Sequence, residues 1–290
     1  VIEHRKDKIQ GLDHVALIVH DLANASKSFE HLGFCLTPVS QHSGAITAGG
    51  DVVQWGCANA CVMLKQGYLE LMGIINPKLY DNKIPQFLSR YEGIHILAFS
   101  CNNASAISER LSAEGFSKNG VYSLSRKLET PRGTRVAKFN LVRLMPADMP
   151  EGRVLAIKHL TKSYLWQERY MTHRNGASSL EEIVVSVDKP SEAAERYQRF
   201  LGISPVKNLE SYHFNLGEGN FVLTTSTFLQ ENYAIDVPSN PFPAIIKIRS
   251  INLNHTRRFL EENSIEHIKI KTGIQISSSE AAGATIIFIE

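Results

Sequence analysis

The chain has 290 residues, of which 43% are hydrophobic and 21% charged, and its formal net charge is +2. That length suits one large domain or two ordinary ones with a sizeable core. A near-neutral balance with scattered basic residues argues against a nucleic-acid or acidic-membrane surface. No apolar run approaches the length of a membrane span. The opening residues, Val1-Ile2-Glu3-His4-Arg5-Lys6, carry no signal-peptide core. The four cysteines, Cys35, Cys57, Cys61 and Cys101, include one i, i+4 pair with no second pair to complete a zinc site. They read as reduced thiols of a cytoplasmic protein.

Taken in order, the chain repeats one pattern four times: an apolar strand, a polar cap, an amphipathic helix, then a small residue and an apolar one. The first copy runs from Leu12–Val19 through Asp21 and a helix carrying Phe29 and Leu32 to Gly33-Phe34. The second runs from Ile94–Ser100 through Asn102-Asn103 and a helix carrying Ile107 and Leu111 to Gly115-Phe116. The third runs from Ile183–Val187 through Asp188-Lys189-Pro190-Ser191 and a helix carrying Tyr197 and Leu201 to Gly202-Ile203. The fourth runs from Ala244–Arg249 through Asn252 and a helix carrying Phe259 and Leu260 to Ser264-Ile265. The caps and the glycines follow ordinary helix start and stop chemistry.

Further strands follow each copy, so the unit reads as β-α-β-β-β. The predicted fold is α+β, with modules 11–75 and 93–161 paired in a domain 1–175 and modules 180–229 and 243–290 paired in a domain 176–290. One curved sheet with a helix on its back encloses nothing alone; two side by side form a half-barrel around a cleft. Asn76–Glu92, Lys162–Ser179 and Gln230–Pro243 read as connectors.

Three of the strands each carry one costly residue. Gly67–Ile74 is apolar except for Glu70, and a carboxylate there needs a cation or a donor beside it. Leu12–Val19 and Gly93–Phe99 each carry one early histidine, His14 and His95. Taken as equivalent positions of paired modules, the two imidazoles would face each other across the cleft. His14, Glu70 and His95 are therefore expected to converge on one divalent metal ion, Zn, Ni, Mn or Fe, with positions left open for a small-molecule substrate.

The repeat resembles the vicinal oxygen chelate superfamily, which includes glyoxalase I and the extradiol dioxygenases. Leu12-Asp13-His14-Val15, Gly56-Cys57-Ala58-Asn59, Gly67-Tyr68-Leu69-Glu70-Leu71 and His173-Arg174-Asn175-Gly176-Ala177 together resemble its glyoxalase-like domain proteins. The resemblance implies a metal that binds vicinal oxygens of the substrate and stabilises an oxyanion, in an isomerase, lyase or dioxygenase. It also implies a fourth ligand on the last strand of module two, where glyoxalase I-like proteins carry a glutamate. Here Arg153–Leu160 has none, and His159 is the donor available, as fourth ligand or as acid/base. That departure puts methylglyoxal-type isomerisation in doubt and keeps a non-catalytic binding protein as the alternative.

His42 is read as a surface-loop residue, with a pocket base as the lesser reading. Arg126, Arg132, Arg135 and Arg143 are read as a solvated strand face in preference to an anion site, and Trp55, Tyr122 and Trp166 as packing. The second half offers Glu182, Ile245 and Ile287 where a triad would stand. It is expected to be a scaffold, a lid or the surface of a homodimer.

Overall fold

The computed structural model describes residues 8–118 and 120–290, so the polar opening Val1–Lys6 lies outside the described residues. The first module comprises β1 (Ile9–Ile18), α1 (Leu22–His31), β2 (Ser40–Ala45), β3 (Val52–Met63) and β4 (Tyr68–Ile74). A short helix, α2 (Ile84–Leu88), lies in the connector. The second module comprises β5 (Gly93–Cys101), α3 (Ala104–Ala113), β6 (Tyr122–Thr130), β7 (Gly133–Arg143) and β8 (Arg153–His159). The two modules close into one barrel of order β1-β4-β3-β2-β6-β7-β8-β5. The antiparallel pairs β1–β5 and β2–β6 are its two seams.

After α4 (Lys162–Leu165), the second half comprises β9 (Ala177–Ser186), α5 (Pro190–Leu201), β10 (Val206–Asn208), β11 (Ser211–Asn215), β12 (Asn220–Thr224) and α6 (Ser226–Tyr233). It continues with β13 (Phe242–Ser250), α7 (Leu253–Glu262), β14 (Ile268–Ile270), β15 (Gly273–Ile276) and β16 (Thr285–Ile289). These strands form an eight-stranded sheet, β10-β11-β12-β9-β13-β16-β15-β14, whose end strands do not meet. The four-module α+β plan therefore holds, with the first pair closed further than a half-barrel and the second left open. Among the described residues no helix is long and apolar enough to cross a membrane.

Strand alternation divides the core. Val15, Leu17, Leu97 and Phe99 face away from the barrel lumen and pack with Phe29 and Ile107 of the helices and with Phe200, Phe221 and Phe288 of the second half. Phe99 meets Phe200 edge-on at 5.3 Å, and Phe34 stacks on Phe288 at 6.0 Å, so this apolar layer is shared by both sheets. Ala16, Ile18, Trp55, Tyr68, Met72, Ile96 and Phe139 face inward as a second cluster. The four polar residues His14, Asn59, Glu70 and Arg126 are buried with them.

Candidate functional site

The lumen holds a cavity with about 610 Å³ of atom-free space counting its mouth, walled by residues of both modules. Glu70 on β4 stands opposite Ala16 of β1 and Cys61 of β3, which places its side chain inward. It is only 6% exposed. Its Oε1 accepts a hydrogen bond from Asn59 Nδ2, and Asn59 Oδ1 accepts one from Arg126 Nη1. The neutral amide thus stands between the carboxylate and the guanidinium. His42 Nε2 lies 3.4 Å from Oε1, and His14 Nε2 lies 3.8 Å from Oε2. Burial pushes the Glu70 carboxyl up, but the contact and charge of His42, the charge of His14 and that of Arg126 outweigh it and hold the group down to about 2. Glu70 is therefore an ionised carboxylate across the physiological range.

His14 owes its setting to a fault in the strand. The β1–β5 register passes from Leu12↔Phe99 to His14↔Ala98, so Asp13 is an extra residue on β1. A bulge breaks the alternation of neighbouring side chains, and Asp13 Oδ1 reaches His14 Nδ1 at 2.6 Å. The His14 ring also stacks on Tyr68, with centroids 4.3 Å apart. On its other side, Asp13 is held by His159 Nε2 at 3.1 and 3.0 Å. Burial pushes the Asp13 carboxyl up, yet the His159 charge and the His14 contact hold it well below the usual carboxylate range.

The same register shows a second fault. Ala16 pairs with Ile96 and Leu17 with Ile94, so His95 is the extra residue on β5. The local two-fold that relates β1 to β5 thus maps His14 onto Ile96 and Asp13 onto His95. This corrects the expected equivalence of the two histidines, which is off by one residue. Ile96, not His95, lines the cavity. His95 is fully buried elsewhere, stacked on Tyr91 at 4.1 Å and against Phe87 at 5.1 Å. Its Nε2 donates to the Tyr91 carbonyl at 2.8 Å. Burial holds its pKa down to about 4, opposed by that hydrogen bond. The carbonyl of His95 leaves no room behind it: a Cβ on Gly152 would lie 2.6 Å away.

The structure thus brings His14 and Glu70 together, adds His42, and sets His95 and His159 apart. His159 lies behind Asp13, between Phe139 and Trp166, facing a different hollow with Lys158 and Lys162. The arginines divide as well. Arg132 and Arg135 are exposed, as a solvated face requires, but Arg126 and Arg143 line the cavity together with Arg153. For Arg126 and Arg143 this overturns the solvated-face reading. His42 is likewise a cavity residue on β2, not a loop residue. Trp55 is fully buried with its Nε1 bonded to the Gly44 carbonyl, yet its ring forms part of the wall.

A barrel of two βαβββ modules enclosing an inward histidine and glutamate on the first of them defines a member of the vicinal oxygen chelate superfamily. Comparison narrows this. The profile of the family described as "Glyoxalase-like domain" matches residues 12–201, and the chain belongs to that family. Among solved structures, a hypothetical protein from Staphylococcus aureus is similar over 96% of this chain and 98% of its own, with 14% identity and a TM-score of 0.63. A mutant of 4-hydroxymandelate synthase from Streptomyces coelicolor is similar over 97% and 92%, with 13% identity and a TM-score of 0.52. A xylose isomerase-like TIM barrel/4-hydroxyphenylpyruvate dioxygenase fusion protein is similar over 90% of this chain and 40% of its own, with 11% identity and a TM-score of 0.54. At these identities the likeness is one of fold. No curated protein matches the chain.

Members of this superfamily use divalent metals, but the donors of this cavity do not assemble a site for one. Among the described residues no group of three or more His, Cys, Asp or Glu is placed to hold a metal ion. On β5 and β8 the cavity-lining positions are Ile96, Arg153, Leu155 and Ile157, none of which carries an oxygen, sulfur or imidazole ligand atom in its side chain. The imidazole of His159 is turned to Asp13, and that of His95 to a carbonyl. The set His14, Glu70, His95 and His159 does not fit a resident ion.

Proposed function

We propose that the barrel cavity is the reaction site of an isomerase- or lyase-type enzyme of the superfamily, acting on a small oxygen-rich molecule by proton transfer. His14 carries the proton. The observation behind this reading is the 2.6 Å contact of Asp13 with His14 Nδ1. An ionised Asp13 keeps the proton on Nδ1, which leaves Nε2 as the free base on the Glu70 side. When Nε2 takes a proton, Glu70 supplies the counter-charge at 3.8 Å. His42 is the second imidazole within reach of that carboxylate, at 3.4 Å. His159 acts through Asp13, as a positioning residue. In this reading residues 1–175 form the reacting domain, and 176–290 support it through the shared apolar layer.

The test is hydrogen–deuterium exchange at carbon. The protein is incubated in heavy water with a panel of small carbonyl compounds, neutral and acidic, and loss of C–H signal next to the carbonyl is followed by NMR. Catalysed exchange that His14→Gln removes is expected. No exchange with any compound, or exchange that survives His14→Gln, overturns the proposal.

The apolar strip of Ile96, Leu155 and Ile157 favours one further reading, a binding protein without turnover. Compounds that bind in the cavity with no exchange would support it. Metal analysis belongs beside the exchange assay: near-stoichiometric transition metal that is lost in Glu70→Ala would restore the metal-dependent reading.

A further inference from the structure

Two of the three arginines on the cavity wall, Arg143 and Arg153, play no part in the proton transfer proposed above. Arg126, Arg143 and Arg153 line the lumen against one carboxylate, Glu70. Arg126 reaches that carboxylate through Asn59. Arg153 stands on the first residue of β8 and spends both terminal nitrogens on neutral oxygens, Nη1 on Asn82 Oδ1 and Nη2 on the Asn82 carbonyl, each at 2.9 Å. Its guanidinium lies over Phe87 at 5.0 Å and takes part in no ion pair among the described residues. Arg143, at the end of β7, lies over Tyr122 at 4.9 Å and Trp55 at 5.6 Å. Burial, and after it the charge of Arg143, hold Arg153 down to about 10, against opposing contributions from Tyr80, Cys57 and Glu70. The charge of Arg143 disfavours that of Arg153, and an anion received by both would relieve that repulsion.

The rest of the wall indicates what the anion is attached to. Ile96, Leu141 and Leu155 are buried residues of the same cavity and offer no hydrogen bond from their side chains. An inorganic oxyanion would leave that surface uncovered, whereas an organic acid would use both.

We propose that the ligand of this cavity is a small organic acid whose carboxylate is received by Arg143 and Arg153 and whose carbon skeleton lies on Ile96, Leu141 and Leu155. This rests on the cavity being the reaction site and names the class of molecule it takes. A carboxylate accepts from the guanidinium N–H groups that Asn82 does not engage, and the apolar strip rewards a longer skeleton. The anchor then fixes which carbon of the acid is offered to His14.

The test is titration calorimetry with acetate, butyrate and phenylacetate, each beside its amide, and with inorganic phosphate. Affinity should rise from acetate to phenylacetate, and each acid should exceed its amide by about tenfold or more, as loss of a charge-assisted hydrogen bond implies. Arg153→Met should bring the acid down to the amide. Should that variant not fold, the acid–amide comparison on the unaltered protein still decides. Acids and amides that bind alike, no binding by any acid, or phosphate binding as tightly as phenylacetate would each overturn the proposal. Binding needs no turnover, so the two readings fail separately. Acid-selective binding without proton exchange sinks only the reaction mechanism. Proton exchange on neutral carbonyl compounds without acid selectivity sinks only the ligand class.

Discussion

The barrel and the open sheet are built from the same module, yet they treat charge in opposite ways. In the open sheet, Glu182 of β9 faces Lys247 of β13 across one rung, with an ion-pair distance of 2.6 Å. Its other candidate positions, Ile245 and Ile287, are fully buried in an apolar cluster with Leu229 of α6 and Phe242. The concave side that would have been a cleft is thus packed, and the pair neutralises itself. In the barrel, closure keeps a lumen, and its charges are arranged around space. One carboxylate there meets two imidazoles and an amide-bridged guanidinium, while two more guanidiniums stand apart from it. The contrast teaches that the duplicated scaffold accommodates charge in either half: Glu182 and Lys247 pair with each other, whereas Glu70 and the three arginines of the barrel face a lumen.

Removing the central acid breaks this contrast most severely. Glu70→Ala leaves His14, His42 and the Asn59 amide facing a void, with Arg126 nearby and uncompensated. Stripping one member from a buried charged network costs about 3–5 kcal/mol. Denaturant unfolding should show a loss of that size. The double variant Glu182→Leu/Lys247→Leu in the open sheet should sit near the parent, since replacing both partners of a pair with apolar groups is about neutral. Similar losses at the two sites would mean that the barrel network is ordinary packing.

Acid should expose the same asymmetry. His95 has a folded pKa of about 4 against an ordinary 6.5, so the unfolded chain binds its proton first. Its contribution to stability is complete above about pH 6.5 and is lost as pH falls toward 4. Glu70, held down to about 2 from 4.5, contributes fully above about pH 4.5 and loses that contribution toward pH 2. Asp13 is lowered too and acts in the same direction. The unfolding free energy of the parent should therefore fall with acid in two stages. His95→Gln, which keeps a donor for the Tyr91 carbonyl, should reduce the slope of the upper stage by at most about 1.4 kcal/mol per pH unit, leaving the share of His173, whose pKa burial also lowers. An unchanged slope between pH 6.5 and 4 would contradict the buried, neutral imidazole.

What the sequence revealed, and what it hid, follows from where periodicity applies. Glu70 stood out because alternation is regular along β4, and an acid in an apolar strand advertises its partner problem. The four modules were legible because caps, helix faces and following glycines repeat. His95 was misplaced because two bulges, at Asp13 and at His95, shift the register by one, and a bulge leaves no mark in an apolar–polar pattern. His42 and Arg126 were hidden for a related reason. The strands β2 and β6 carry polar residues on both faces, so neither shows which side is inward until the barrel closes through Ser43↔Ser125. The signal that could have found them was the buried acid itself, which needed more positive charge than His14 alone. The end of α6 was read as part of the Gln230–Pro243 connector because the helix is short and buries only Leu229.

The smallest effect concerns the helix starts, where one module differs from the other three. Asp21, Asn103 and Asn252 cap α1, α3 and α7 with side chains that accept from the first free backbone N–H groups. The third module was expected to use its Asp188-Lys189-Pro190-Ser191 run in the same way. Instead Lys189 occupies the capping position with no side-chain bond to the backbone N–H groups of the helix, and Asp188 accepts from Asn240 Nδ2 at 2.8 Å. The Lys189 backbone, φ −130° and ψ 85°, lies within about 20° of that of the Asp21 cap, φ −126° and ψ 102°. Lys189→Ser should therefore stabilise the chain by about 0.5–1 kcal/mol, net of the exposed Lys189–Glu192 pair it gives up. Asp21→Ala should cost about 1 kcal/mol in the barrel half, because it removes bonds to Ala23 and Asn24. If thermal unfolding moves in the same direction for both, the start of α5 is held by Pro190 and its packing alone, and the missing cap is a settled feature of that module.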